Sequence, residues 1–472
     1  MRRALLLLLV LLLPVTLPAR AQRFVSIAFH DIADTREGLT TDAVTTGTLV
    51  AFLDWLKGSG WTPVSLDDLE AARTGRRALP ERAILLTFDD GYRSAYTRLF
   101  PLLLAYRFPV VIALVGSWME GGPQAMVRYG DVDVPRTRFL SWAEAREMQA
   151  SGLVEFASHS FALHQAVRGN PQGNMLPSAA AWAYDPATGR YEDDTALRRR
   201  VRTDLERSRA LMRRELGRAP RALVWPFGRY AGPALEAARE AGFRFALTLD
   251  PEPAEVARPM AIPRYFPAQA PDLGDLARNL RFREESPPAR RLVCLDPAAV
   301  AAAGDAGAQD AALGALIEAL RTLGANTVLL AAHAPGPPGV LGPAWYPTPL
   351  RPLAGDLLGR LTWQIRTRGG AEVFLRLPLA EAAATVGAAR VPTLAGDMLR
   401  HALADGLALE GAGDLAMATP DPPGEATTWA TRARRAALVP ARLDEGGRLA
   451  LATIRAGEAL RPGLRLLVTS AA

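Results

Sequence analysis

The chain holds a single cysteine in 472 residues, Cys294, so no intramolecular disulfide can form and the fold must rest on packing. Cys294 lies in the apolar run RLVCLD and is expected in a core. Lysine is nearly absent too. Lys57 stands alone beside a net charge of +6 that arginine carries. With Ala, Gly and Pro abundant, that reads as coding bias, not as a binding adaptation. The basic residues are scattered or fall in short clusters such as Arg198–Arg200. No aromatic–basic surface interleaves with them, so nucleic acid is not an expected partner. Past the first residues, no apolar run is long enough to cross a bilayer. Histidine is scarce as well, at five residues, and three of them fall in two short segments, AFHDI (28–32) and SHSFALH (158–164).

The opening MRRALLLLLVLLLPVTLPARAQ has a basic start, a short apolar core and an A-x-A ending. It predicts a secretory signal over 1–21, cleaved after Ala21, with an uncleaved anchor as the alternative. The expected location is therefore outside the cytoplasm. The remaining length predicts more than one domain.

Beyond the leader, strand-like and helix-like runs alternate. FVSIAFH (24–30), AILLTF (83–88), PVVIALV (109–115), LVEFAS (153–158), ALVWPF (222–227) and FRFALTL (243–249) read as buried strands. Residues 46–58, 94–106, 194–216 and 232–241 read as helices, and a further helix opens at the Ser141 to Glu144 capping box. Apolar strands separated by helices predict an α/β fold, a barrel or a doubly wound sheet. His30, Asp89 with Asp90, His159, and Pro226 with Phe227 all fall at carboxyl ends of strands, the rim where such folds build sites. Residues 165–195 read as a Gly/Pro/Asn-rich surface loop over that rim. ESPPARR (285–291) reads as a linker between domains at 22–285 and 286–472. A second βα series follows it, with strands at 291–296, 326–332 and 371–377 and helices at 310–323 and 353–368. Beyond residue 380 or so the periodic pattern fades.

Taken singly, each site residue has a plainer explanation. Asp89-Asp90-Gly91 suits a strand-to-loop turn. A lone histidine is more often a satisfied polar group near a core. His159 and His164 are not spaced to share one helix face, so they must converge from a loop. Together, Asp90, His159 and His164 offer one carboxylate and two imidazoles. That set suits zinc, cobalt, nickel or iron and leaves positions for water and substrate. An iron oxygenase uses the same set, but the strand-end setting and the adjacent Asp89 favour hydrolysis.

TFDDGY (87–92), SHSFALH (158–164) and WPFGRY (225–230), in that order and on those strands, resemble the motifs of the polysaccharide deacetylase family. AFHDI (28–32) is similar to a segment of the exported poly-β-1,6-N-acetyl-D-glucosamine N-deacetylases of biofilm systems, whose rearranged barrel brings first a motif found late elsewhere in the family. The resemblance covers residues 24–270 and implies a (β/α) barrel-like deacetylase domain acting on a periplasmic N-acetylglucosamine polysaccharide, with an outer-membrane export porin as partner. It implies that Asp90, His159 and His164 hold a divalent metal, that Asp89 is the base and His30 the general acid. The backbone N–H of Phe227 becomes an oxyanion donor, and Trp225, Pro226, Phe227 and Leu247 are the candidates to meet the substrate, Leu247 at the acetyl methyl and Trp225 with core packing as its equal alternative. An amine leaves readily only when protonated, and an imidazole, with an ordinary pKa of about 6.5, can carry that proton near neutrality. Val224 stands where many relatives have an arginine, so another residue must orient Asp89. Arg93 and Arg221 are the candidates.

The stretches 323–332 and 346–379 resemble the second domain of the same proteins, a (β/α) barrel. Here it is expected to be shortened and to bind glycan or give support, with Trp345 and Tyr346 as candidate sugar contacts and Trp363, on a helix, as a core residue before a contact. Glycoside cleavage needs two rim carboxyl groups. AHAPGPPG (332–339) supplies none, and GLALEGAGDLA (406–416) supplies only Glu410 and Asp414. The alternatives to a deacetylase are a polysaccharide-binding or export module with little catalysis, and a glycoside hydrolase working through this second domain.

Overall fold

The computed structural model describes residues 22–36, 42–250, 253–267, 271–280, 289–412 and 445–469. The leader at 1–21, Asp414 and residues 285–288 of the expected linker lie outside the described residues.

Runs of Val, Ile, Leu, Ala and Phe make the first sheet. Ala83–Phe88 and Val110–Leu114 are buried at every position, as strands covered on both faces must be. The order across the sheet is Phe245–Leu247, Ala222–Val224, Val154–Ser158, Val110–Leu114, Ala83–Phe88 and Arg23–Phe29, all parallel, and then the antiparallel Ala254–Glu255. Backbone near 262–265 crosses between the two ends. Ile262 pairs with Leu247, and Tyr265 pairs with Ile27. Thr248 N–H donates to Ile262 O and Ala28 N–H to Tyr265 O, each at 2.8 Å. This crossing curls the sheet into the barrel-like form.

Side chains alternate across the curl. Leu86 and Phe88 point out to helix residues Phe52, Leu56 and Leu103. Leu85, Val111, Ala113, Ala157 and Ala222 fill the narrow interior, where small residues suit the curvature. The helices begin where their caps predict. Thr45 caps Thr46–Gly58, Ser141 and Glu144 complete a capping box on Trp142–Ala150, and Asp193 caps Asp194–Leu216. That long helix ends at Gly217 in the left-handed region, φ 77°.

The second unit is a parallel sheet in sequence order: Leu292–Leu295, Thr327–Ala331, Glu372–Pro378, Gly406–Glu410 and Arg465–Thr469. Ala306–Thr322, Leu358–Gln364, Val391–His401 and Glu445–Leu460 pack against it. Three expectations need correction here. The chain past 380 still forms the helices Val391–His401 and Glu445–Leu460 and the strands Gly406–Glu410 and Arg465–Thr469, and its weak pattern reflects Ala and Gly at tight contacts. A Cβ on Gly406 would strike Arg465 O and the Phe374 ring. The helix expected from 353 begins at Leu358. Cys294 is exposed, because Leu292–Leu295 is an edge strand. No helix among the described residues is long and apolar enough to cross a membrane.

The segment after His164 is also more than a loop. It forms two short hairpins, Ala166–Arg168 with Met175–Pro177 and Tyr184–Asp185 with Arg190–Tyr191. It packs on the second unit. Tyr191 Oη donates to Asp356 Oδ2 at 2.8 Å, and Arg400 grips Asp194 at 2.9 and 2.8 Å. Arg461, buried, lies 4.9 Å over the Trp182 ring and donates to Ala180 O and to Leu399 O. Arg461→Ala should cost about 2–4 kcal/mol, because it opens a void and leaves buried carbonyls without donors. Urea unfolding of the full chain measures this. A loss below about 0.5 kcal/mol would mean that the contact does not bind the units together.

Candidate metal centre

The strand register brings four chain ends to one rim. Phe29 pairs with Phe88, Leu114 with Ser158, and Ser158 with Leu223. His30, Asp89, His159 and Trp225 therefore emerge side by side. The backbone is strained there. Asp90, Ser160 and Phe227 have φ of 71°, 69° and 59°, and they are three of the four non-glycine residues in the left-handed region among the described residues. Gly91, at φ 69°, has no room for a side chain, since a Cβ would lie 2.6 Å from the Leu114 side chain.

The loop that carries His164 is pinned from the long helix. Phe161 N–H and Ala162 N–H donate to the two oxygens of Asp204, both at 2.8 Å. Ser208 Oγ meets Ser158 Oγ at 2.7 Å, and Ser158 Oγ accepts from Ser160 N–H at 3.0 Å. Burial raises the Asp204 carboxyl to about 6, which still leaves it an acceptor at neutral pH. The chain thereby turns back until the His159 and His164 rings lie 5.0 Å apart.

Asp90 Oδ1 sits 3.5 Å from His159 Nε2 and 3.4 Å from His164 Nε2. It is buried and has no hydrogen-bond partner. One donor atom from each residue lies within 4.8 Å of the others, and no other such group occurs among the described residues. His159 Nδ1 is 2.8 Å from Val224 O, which fixes the proton there and turns the Nε2 lone pair inward. Burial lowers both histidines to about 4, so they stay neutral donors, and it raises Asp90. An orphaned carboxylate oxygen facing two neutral imidazoles fits a divalent cation.

Asp89 is held by a different device. Arg264 donates to its two oxygens at 2.7 and 2.9 Å, to Thr87 Oγ1 at 2.9 Å and to Thr248 O at 3.1 Å. Burial alone would raise this carboxyl, but the Arg264 charge and its hydrogen bonds outweigh it, and the pKa falls to about 2. His30 Nε2 stands 4.0 Å from Asp89 Oδ2, with its ring 4.9 Å from that of Phe266.

Several expectations fail on this geometry. Neither Arg93 nor Arg221 reaches Asp89. Arg93 is taken by Glu144 at 2.8 Å, and Arg221 by both oxygens of Glu155 at 2.8 Å. Arg264 holds Asp89 instead. It lies on the crossing segment, which carries no periodic pattern and no motif. Trp225 is fully buried, stacked 4.9 Å from Tyr230, so it offers no face to a sugar. Leu247 is enclosed in the inner core, and Pro226 is buried. Of the four expected substrate contacts only Phe227 presents surface, 45% exposed, with its ring 4.6 Å from that of His164. In the second unit Trp345 and Tyr346 are buried, and Trp363 packs near Leu176 and Leu403. Glu410 is paired with Arg376 at 2.8 and 3.1 Å.

The polysaccharide deacetylase family model matches residues 76–246, and a model described as hypothetical glycosyl hydrolase family 13 matches 303–393. Poly-beta-1,6-N-acetyl-D-glucosamine N-deacetylase of Escherichia coli (strain K12) is 34% identical over 359 residues, 75% of this chain and 53% of that protein. The chain thus spans about half the length of the curated relatives it matches. A solved de-N-acetylase from Aggregatibacter actinomycetemcomitans is 31% identical with a TM-score of 0.52, over 55% of this chain and 100% of that one. The BpsB deacetylase domain from Bordetella bronchiseptica is 39% identical with a TM-score of 0.45, over 52% of this chain and 95% of that one.

Arg264→Met should leave Asp89 buried without its partner and cost about 3–5 kcal/mol at neutral pH. Asp89 has a depressed pKa, so the stability it lends is complete above its ordinary value of 3.8 and is lost as pH falls toward about 2. The gap between parent and variant should therefore narrow on acidification through that window, read by urea unfolding. A gap that widens would contradict the pairing.

Proposed function

This chain belongs to the polysaccharide deacetylase family, and from that premise we propose that it is a metal-dependent amide hydrolase removing N-acetyl groups from an exported poly-N-acetylglucosamine polysaccharide. The observation that carries the reading is the orphaned Asp90 Oδ1 between two imidazoles, next to an Asp89 kept ionised by Arg264.

Asp90, His159 and His164 would hold the ion, and zinc, cobalt, nickel and iron all suit one carboxylate with two imidazoles. A divalent ion there would lower the pKa of a bound water and polarise the acetamide carbonyl. Asp89 accepts the proton of the attacking water at a carboxylate oxygen. Its low pKa makes it a modest base, but one that is never lost to prior protonation near neutrality. The N–H of Phe227, in its left-handed turn, donates to the oxyanion on the substrate. His30, as imidazolium, gives its proton to the departing nitrogen. Its place beside Asp89 supports that pairing of acid and base. The exposed Phe227 ring supplies an apolar face for a sugar.

The proposal extends to setting. The leader over 1–21 would deliver the chain to the periplasm, cleaved or retained as an anchor, and the polymer would leave through an outer-membrane porin. The second unit would bind glycan or support the first. Its match to a glycosyl hydrolase model favours a second reading, cleavage of the polymer, although Glu410 is engaged by Arg376. Reducing-end release from partly deacetylated polymer tests that reading.

The principal experiment follows acetate release from N-acetylglucosamine oligomers, with chelator and with added zinc, cobalt or nickel. Asp89→Asn should keep the metal and lose about a hundred- to ten-thousandfold in kcat. His159→Ala and His164→Ala should lose the metal itself. A fully active Asp89→Asn would remove the assigned base.

A further inference from the structure

The hairpin Met126–Tyr129 with Val132–Pro135 belongs to neither of the two large sheets. Its base is fixed by Arg136, a buried residue whose guanidinium donates to the carbonyls of Met119, Phe139 and Leu140 at 3.0, 3.2 and 2.8 Å. Tyr129, at the end of the first strand, packs its ring 5.1 Å from Trp118, 6.1 Å from Tyr92 and 6.3 Å from His164. A phenylalanine would fill that place equally well. The hydroxyl does something more, for it donates to Asp90 Oδ2 at 3.1 Å. The other oxygen of the same carboxylate is the atom that faces both imidazoles.

We propose that Tyr129 is a positioning residue that restricts Asp90 to a single coordinating oxygen, an inference that rests on the metal-centre reading above. A carboxylate can offer a cation one oxygen or two. With Oδ2 engaged by the phenol, only Oδ1 is free, and the carboxylate plane is fixed with that oxygen turned toward His159 and His164. Three single donors leave positions open for water and substrate, as a hydrolytic site requires. Partners that orient metal ligands are worth ten- to a hundredfold in metal affinity.

The test compares the full chain with Tyr129→Phe, which keeps the ring and removes the hydroxyl. Zinc affinity is measured by competition with a chromophoric chelator, the cobalt-loaded proteins are compared by visible absorption, and the metal-free proteins by thermal unfolding. The expected result is a zinc Kd weakened by about ten- to a hundredfold. Weaker cobalt bands, as Oδ2 joins the ion, and an unchanged metal-free Tm should accompany it. A Kd within about twofold of the parent with an unchanged cobalt spectrum overturns the proposal. A lowered metal-free Tm with an unchanged cobalt spectrum also overturns it, because the residue would then serve packing alone. Failure of the parent chain to bind either ion is a separate outcome that removes the metal-centre reading along with this one.

Discussion

The buried pair of Arg264 and Asp89 is the constraint on which the rest of the rim depends. Asp89 and Asp90 are adjacent and almost wholly enclosed. Two neighbouring carboxylates in such a place cannot both ionise without compensation. Arg264 supplies the compensation for one of them, Asp89, and leaves Asp90 without a guanidinium, facing two imidazoles. Its remaining bonds, to Thr87 and Thr248, tie the central strand of the sheet to the chain beyond the last one. The residue that sets the charge of the site is thus also a bolt across the seam of the curled sheet. A buried pair of this kind seldom adds net stability.

The metal loop follows a similar economy. His159 and His164 cannot be neighbours on a helix, and they meet because Ser160 adopts a left-handed conformation and Asp204 receives the two N–H groups that follow. Strain at one residue is offset by hydrogen bonds from a helix that lies outside the rim. Ligand geometry is therefore set by the backbone and by a distant carboxylate, as well as by the Val224 carbonyl that orients His159.

Much of this was legible in the sequence. The strands of the first unit declared themselves through long apolar runs, and Asp90, His159 and His164 through their places at strand ends. Arg264 did not, because an isolated bridge has no period and its arginine looks like any of the many others in the chain. Tyr129 and Asp204 stayed hidden for the same reason, since each acts through one side-chain bond across a large sequence gap. At Trp225 and Leu247 the sequence leaves core and substrate face both open, because a residue at a strand end can point inward or outward, and composition does not say which. In the second unit, Ala and Gly at close contacts erased the hydrophobic contrast on which periodicity depends.

The grip of Arg461 on Ala180 joins positions 281 residues apart. Loop closure over such a distance is slow, and the hairpins next to the catalytic rim stay uncovered until the C-terminal helix has been made and has docked. With no disulfide to hold partial structure in the meantime, a nascent chain would carry an exposed apolar seam for most of its synthesis. Such a seam is a natural binding site for chaperones, and the order in which the two units mature is already written into where that arginine falls.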